Sequence, residues 1–188
     1  MSMRDKTFLI MAGGTGGHVF PALAVAQSLM ERHDKVVWLG SIGGMEESIV
    51  TKAEIQFFGI DVKGVRGKGR LSQLLAPFKI ISAVFQALKV LRVVKPNAVL
   101  GMGGFASGPG GIAARMLGIP LVIHEQNSVA GMTNKILAKF ATTVMTAFPK
   151  AFSEKVTCML VGNPLRADIA RLYYEQELDK RKGELVRL

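Results

Sequence analysis

TFLIMAGGTGGHVFPALAVA, residues 7–26, sets the fold. Its first five residues are apolar without alternation, the mark of a strand buried on both faces. Four glycines and a threonine follow, then a histidine. A helical pattern comes next, with Ala22, Val25, Ala26 and Leu29 on one face and Pro21 placed in the first turn. Strand, glycine-rich turn and helix make a βα unit with one titratable ring, His18, at the mouth of its loop.

Six further apolar runs repeat the strand signal: KVVWLG (35–40), EIQFFGI (54–60), NAVLGM (97–102), IPLVIH (119–124), TTVMTAF (142–148) and VTCMLVG (156–162). Helical patterns separate most of them. The alternation predicts an α/β fold, a Rossmann-like parallel sheet of about seven strands, doubly wound with right-handed crossovers. A second glycine-rich turn, GMGGFASGPGG (101–111), follows the fourth run, and HEQN (124–127) ends the fifth. Ligands of such sheets bind beyond the carboxyl ends of the strands, so both turns and HEQN are expected to face one crevice.

The chain has 188 residues, 49% of them hydrophobic, which suits one well-buried domain and argues against disorder. Lys and Arg outnumber Asp and Glu by 24 to 14, a net charge of +10. The excess is local: no acid lies between Val62 and Ile123, where Lys63, Arg66, Lys68, Arg70, Lys79, Lys89, Arg92, Lys95 and Arg115 all fall. Such a segment suits a polyanionic partner or is a solvated basic face. Cys158 cannot form an internal disulfide and reads as a buried thiol, and the N-terminal apolar run is too short for a signal peptide. A cytoplasmic compartment is expected.

Glycines let main chain approach a ligand closely, and the following helix offers free N–H groups and a positive dipole end, a setting that fits a diphosphate. A dinucleotide fingerprint fails at the first loop, because its third glycine would be Val19. Gly101, Gly103 and Ala106 meet a looser form by chance spacing, and no P-loop motif is present. The positive helix end disfavours an imidazolium at His18, which leaves a neutral ring able to accept a proton. In HEQN, His124 is read as structural, with Glu125 and Asn127 lining the site. No metal-ligand cluster appears, and no metal or cofactor is expected.

Taken together, GGTGGHVFPALAVA, GMGGFASGPGG, HEQN and GNPLR (162–166) resemble the MurG family of bacterial transferases, in order from about Thr7 to Arg166. The resemblance implies a GT-B fold, two Rossmann-like domains across a cleft, of which this chain matches the N-terminal, acceptor-binding one. Residues 1–166 are expected to form that domain, and 167–188 an interdomain helix or linker ending at ELVRL, where the C-terminal UDP-sugar domain would begin. The implied reaction is an inverting, metal-independent transfer of N-acetylglucosamine from UDP-GlcNAc to the muramyl C4 hydroxyl of lipid I, with UDP as leaving group. His18 is then the base. Thr15, Gly16, Gly17, Asn127 and Arg166 match donor contacts, and Gly14, Gly103, Gly104 and Glu125 match the acceptor side.

The resemblance also implies a peripheral position on the cytoplasmic face of the bacterial inner membrane. Leu74, Phe78, Ile81, Phe85 and Leu88 lie on one helix face, and the first four, rimmed by Lys68, Arg70 and Lys79, are expected to contact anionic phospholipid. Where some relatives carry an aromatic residue after the second glycine loop, this chain has Arg115. Nucleic acid is not the expected partner, since the basic residues are interleaved with aliphatics instead of stacking aromatics. A lipid-surface or acceptor-binding module without catalysis, and a dinucleotide-dependent oxidoreductase, are the competing readings. The 188 residues alone are expected to fold but to transfer no sugar.

Overall fold

The computed structural model describes residues 6–62 and 76–165. Each apolar run forms a strand: β1 (Thr7–Met11), β2 (Lys35–Ser41), β3 (Gln56–Ile60), β4 (Ala98–Gly101), β5 (Leu121–Glu125), β6 (Thr143–Thr146) and β7 (Met159–Leu160). They make one sheet in the order β3-β2-β1-β4-β5-β6-β7, every neighbouring pair parallel. The helices are α1 (Gly16–Glu31), α2 (Met45–Lys52), α3 (Ala76–Val94), α4 (Ser107–Met116) and α5 (Met132–Leu137).

Period-2 geometry explains why the central runs carry no polar positions. In β1 and β2, Leu9, Met11, Val37 and Leu39 point to one face and pack with Ala83, Ala87, Leu88 and Leu91 of α3 and Ala113 and Ala114 of α4. The intervening Ile10, Val36 and Trp38 point to the other, against Val19, Ala22, Leu23 and Ala26 of α1. Leu91 and Leu88 are almost completely enclosed, each burial worth about 1.5–3 kcal/mol. Trp38 satisfies its indole N–H on Ala12 O at 3.0 Å.

The strand order reverses between β1 and β4, the switch point at which the loops on either side diverge and leave a crevice. The two glycine-rich turns follow these two strands, as the sequence leads one to expect.

Two expectations are corrected. Helix α1 begins at Gly16, so Pro21 lies beyond the first turn, inside the helix, and has no N–H to give to Gly17 O. The earlier start carries His18 into the first turn, where its N–H and that of Val19 both donate to Thr15 O at 3.1 Å. Cys158 is half-buried instead of buried: it immediately precedes the short edge strand β7, which has no neighbour beyond it among the described residues. Lys68, Arg70, Leu74, Arg166 and the segment 167–188 lie outside the described residues.

Candidate functional site

Three adjacent strand ends build the site. Met11 of β1 pairs with Gly101 of β4, and Gly101 with Ile123 of β5, so the chain leaves all three side by side. Met102 N donates to Met11 O at 2.8 Å. Ser107 Oγ, fully buried, lies 2.9 Å from Met11 O and 2.7 Å from Gly103 O and shares its one proton between them. Gly104, at φ +91°, packs on the Gly13 backbone so closely that a Cβ would collide with it. The two glycine loops thus touch main chain to main chain, which no larger residue allows.

Glu46, in the first turn of α2, braces the first loop from the other side. Its carboxylate is fully buried and accepts from Ser41 N at 2.9 Å and from Gly14 N at 3.3 Å. The Gly14 amide is therefore engaged within the protein. The sequence reading passed over Glu46, although its place just after Gly43 and Gly44, at the end of the neighbouring strand β2, was a usable signal.

Thr15 is the N-cap of α1, extended at φ −144°, with no capping bond from its side chain. Thr15 and Gly17 are exposed, and Gly16 is half-buried. Thr15 and Gly17 thus stand at the surface of the loop that the resemblance assigns to the donor.

His18 is half-buried, and its Nδ1 lies 2.9 Å from Gln126 Oε1, 108 residues away. Gly103, at φ +102°, backs the ring. His18 Nε2 has no protein partner among the described residues. Gln126 Nε2 in turn lies 3.0 Å from His124 O and 3.0 Å from His124 Nδ1, and His124 Nε2 is 2.9 Å from Gly162 O. Both Gln126 and His124 are buried. Burial pushes the His124 imidazole below its ordinary range, outweighing the Gly162 hydrogen bond and the Glu125 charge that favour the proton. Gln126 carried no signal in the sequence beyond lying inside HEQN.

Glu125 lies below the surface. It is fully buried, and its Oε1 accepts from Asn127 N (3.0 Å) and Asn127 Nδ2 (2.8 Å), its Oε2 from Gly131 N (3.0 Å) and Asn134 Nδ2 (2.9 Å). Burial alone would raise this carboxyl, but these four donors outweigh it and hold it below its ordinary range. Glu125 organises the loop that carries Gln126 and Asn127. Asn127 is exposed, and its Oδ1 has no protein partner among the described residues.

Such an arrangement has the chemistry of a proton acceptor: one imidazole nitrogen is held by Gln126, the other has no protein partner among the described residues, and Gly103 backs the ring. The glycosyltransferase family 28 N-terminal domain matches residues 8–146. The chain belongs to this family. Among its family 28 relatives, the N-acetylglucosamine transferase of Hahella chejuensis, named for UDP-N-acetylglucosamine and N-acetylmuramyl-(pentapeptide) pyrophosphoryl-undecaprenol, is 54% identical over 175 residues, covering 93% of this chain and 49% of that protein. The enzyme of the same name from Marinobacter nauticus is 50% identical over 181 residues, covering 96% of this chain and 50% of that one. The crystal structure of Acinetobacter baumannii MurG superposes with a TM-score of 0.73 at 45% identity, over 84% of this chain and 45% of that one. The chain spans about half the length of the curated relatives it matches. Its all-parallel sheet matches the N-terminal domain of the GT-B fold.

Proposed function

We propose that this family 28 domain is the acceptor-side half of an inverting transferase that moves N-acetylglucosamine from UDP-GlcNAc to the muramyl C4 hydroxyl of lipid I. The observation that carries the reading is His18 at the switch point, with Nδ1 held by Gln126 and Nε2 open. His18 Nε2 takes the C4 hydroxyl proton as the oxygen attacks C1 of the donor sugar, and UDP leaves with the electron pair of the broken bond. Thr15, Gly16, Gly17 and Asn127, exposed or half-exposed, are assigned to the donor, as is Arg166, which lies outside the described residues. Gly103 and Gly104 shape the acceptor side by bringing the second loop against His18 and Gly13. Glu125 serves that side through the loop it holds, and Gly14 through the first glycine loop, where its amide is held by Glu46.

The domain boundary is part of the same proposal: residues 1–166 bind the acceptor, and 167–188 lead to a second, donor-binding domain. The relatives named for UDP-N-acetylglucosamine are about twice as long, which supports it. No helix among the described residues is long and apolar enough to cross a membrane. Contact with anionic phospholipid on the cytoplasmic face of the inner membrane is instead supported by α3, which exposes Phe78, Ile81 and Phe85 beside Lys79.

The test is a chimera in which these 188 residues replace the matching half of the Hahella chejuensis relative. Loss of a positioned base costs about 10²- to 10⁴-fold in rate. His18→Ala should lower kcat within that range while the affinity for UDP-GlcNAc persists. Turnover within a few-fold of the parent chimera removes the assignment.

A further inference from the structure

Which nitrogen of an imidazole carries the proton follows from what each nitrogen faces. Two backbone carbonyls settle the matter here, because a carbonyl only accepts. His124 O lies 3.0 Å from one end of the Gln126 amide, so that end is the NH2 group and the end facing His18 is the oxygen. An oxygen facing His18 Nδ1 at 2.9 Å requires a proton on Nδ1. Gly162 O, 2.9 Å from His124 Nε2, requires a proton there, which leaves His124 Nδ1 with a lone pair for the second hydrogen of the Gln126 NH2 group. Every donor in the chain meets an acceptor.

We propose that Gln126 and His124 are positioning residues that fix the tautomer of His18, keeping its proton on Nδ1 and the lone pair of Nε2 toward the reacting hydroxyl. The proposal rests on the reading of His18 as the base and adds what makes that base ready. A free imidazole exchanges its proton between the two nitrogens, and a ring protonated on Nε2 has its lone pair turned toward Gln126, where it cannot take a proton from substrate. Gln126 disfavours that form: its oxygen would then face a lone pair, and turning the amide to give His18 Nδ1 an N–H would set the amide oxygen against His124 O and against the lone pair of His124 Nδ1. His124, buried and neutral, removes the remaining freedom of the amide. A carboxylate in place of Gln126 would also accept from Nδ1–H, but it would stabilise the imidazolium as well. The neutral amide selects the tautomer without adding charge.

The tautomers are read directly in the 188-residue chain labelled with ¹⁵N-histidine, by long-range ¹H–¹⁵N correlation at about pH 8, where exposed imidazoles are neutral. The expected spectrum has His18 protonated on Nδ1 and His124 on Nε2. In Gln126→Ala, with the fold checked by circular dichroism, His18 should shift toward the Nε2-protonated form. In the chimera, Gln126→Ala should lower kcat by about 10- to 100-fold with little change in KM, and Gln126→Glu, which still accepts from Nδ1–H, should recover part of the loss. A wild-type His18 protonated on Nε2, or a tautomer unchanged in folded Gln126→Ala, overturns the proposal. The wild-type spectrum decides even where the variant does not fold. Failure of the base reading is seen separately, as normal turnover in His18→Ala.

Discussion

Gly103 lies against the His18 ring so closely that a Cβ on it would stand 2.8 Å from His18 Cε1 and 2.9 Å from Nδ1. The ring cannot simply move aside, because Nδ1 is tied to Gln126. Gly103→Ala therefore meets two obstacles, a φ of +102° that side chains rarely adopt and a displaced base. Gly118, at φ +68° with nothing within 4 Å of its would-be Cβ, carries the first obstacle alone. Both substitutions should cost stability by about 1–3 kcal/mol through backbone strain, but only Gly103→Ala should also depress kcat in the chimera, by roughly tenfold or more as the near-attack geometry is lost. Urea unfolding beside turnover checks this, and equal kcat in the two variants would count against it.

The four hydrogen bonds to Glu125 make it the keystone of the loop from Gln126 to Gly131. Glu125→Gln keeps the size but replaces one acceptor oxygen by a donor, so that one pair of loop donors, either the two from Asn127 or those from Gly131 and Asn134, faces an NH2 group. Losing a hydrogen bond to a buried charged group costs about 1.5–3 kcal/mol. The expected outcome is a fall in unfolding free energy of that order, read by denaturant titration, and weaker protection of the Asn127 and Gly131 amides in hydrogen exchange. Unchanged stability would show that the loop is held by other means.

Much of this was legible in the sequence. All seven strands announce themselves because buried parallel strands read as unbroken apolar runs, and both glycine loops are visible because nothing else in the code marks tight backbone contact. What stayed hidden depends on partners distant in the chain. Gln126 gains its role from His18, 108 residues away, and a neutral amide between two conspicuous residues has no compositional signature. The burial of Glu125 was hidden because charge is usually read as exposed, whereas here three donors from its own loop and one from Asn134 of α5 make burial tolerable. The start of α1 was misplaced for a related reason: Pro21 signals a first turn, but the glycines before it accept helical geometry once Thr15 O can take two N–H groups.

Acid should loosen this domain in two stages. The His124 imidazole is held below its ordinary value of 6.5, so the unfolded chain binds that proton more readily, and the corresponding stability is complete above about pH 6.5 and is lost as pH falls toward the folded value. The Glu125 carboxyl, held below 4.5, behaves alike: its contribution is present above that value and is lost as pH falls through the folded one. Both slopes have the same sign. Thermal unfolding between pH 7.5 and 4 should show a falling midpoint beginning below about pH 6.5, and His124→Gln should flatten that first stage without touching the second. A midpoint insensitive to pH above 5, or an identical slope in the variant, would refute the account.

Helix α3 divides its apolar residues in a way that burial in the core does not explain. Ala83, Ala87, Leu88 and Leu91 face the sheet and complete its cover, while Phe78, Ile81 and Phe85, spaced three and four residues apart on one helix face, remain 70%, 53% and 60% exposed. Leaving two phenylalanines in water forfeits about 1–2 kcal/mol each on an area basis, a cost that a membrane interface would recover. Lys79 is on the same exposed stretch, and Lys68, Arg70 and Leu74 precede it in the chain. Phe78→Ser combined with Phe85→Ser should therefore weaken sedimentation with phosphatidylglycerol-containing vesicles by roughly 30- to 700-fold, since each 1.4 kcal/mol is tenfold, and should leave the thermal midpoint within a degree or two because neither side chain is in the core. Lys79→Glu should act differently, reducing the preference for anionic over neutral vesicles while retaining the apolar contribution. Binding that is equal on both lipid compositions in the parent chain, or unaltered in the double serine variant, would assign the exposed face of α3 to something other than lipid.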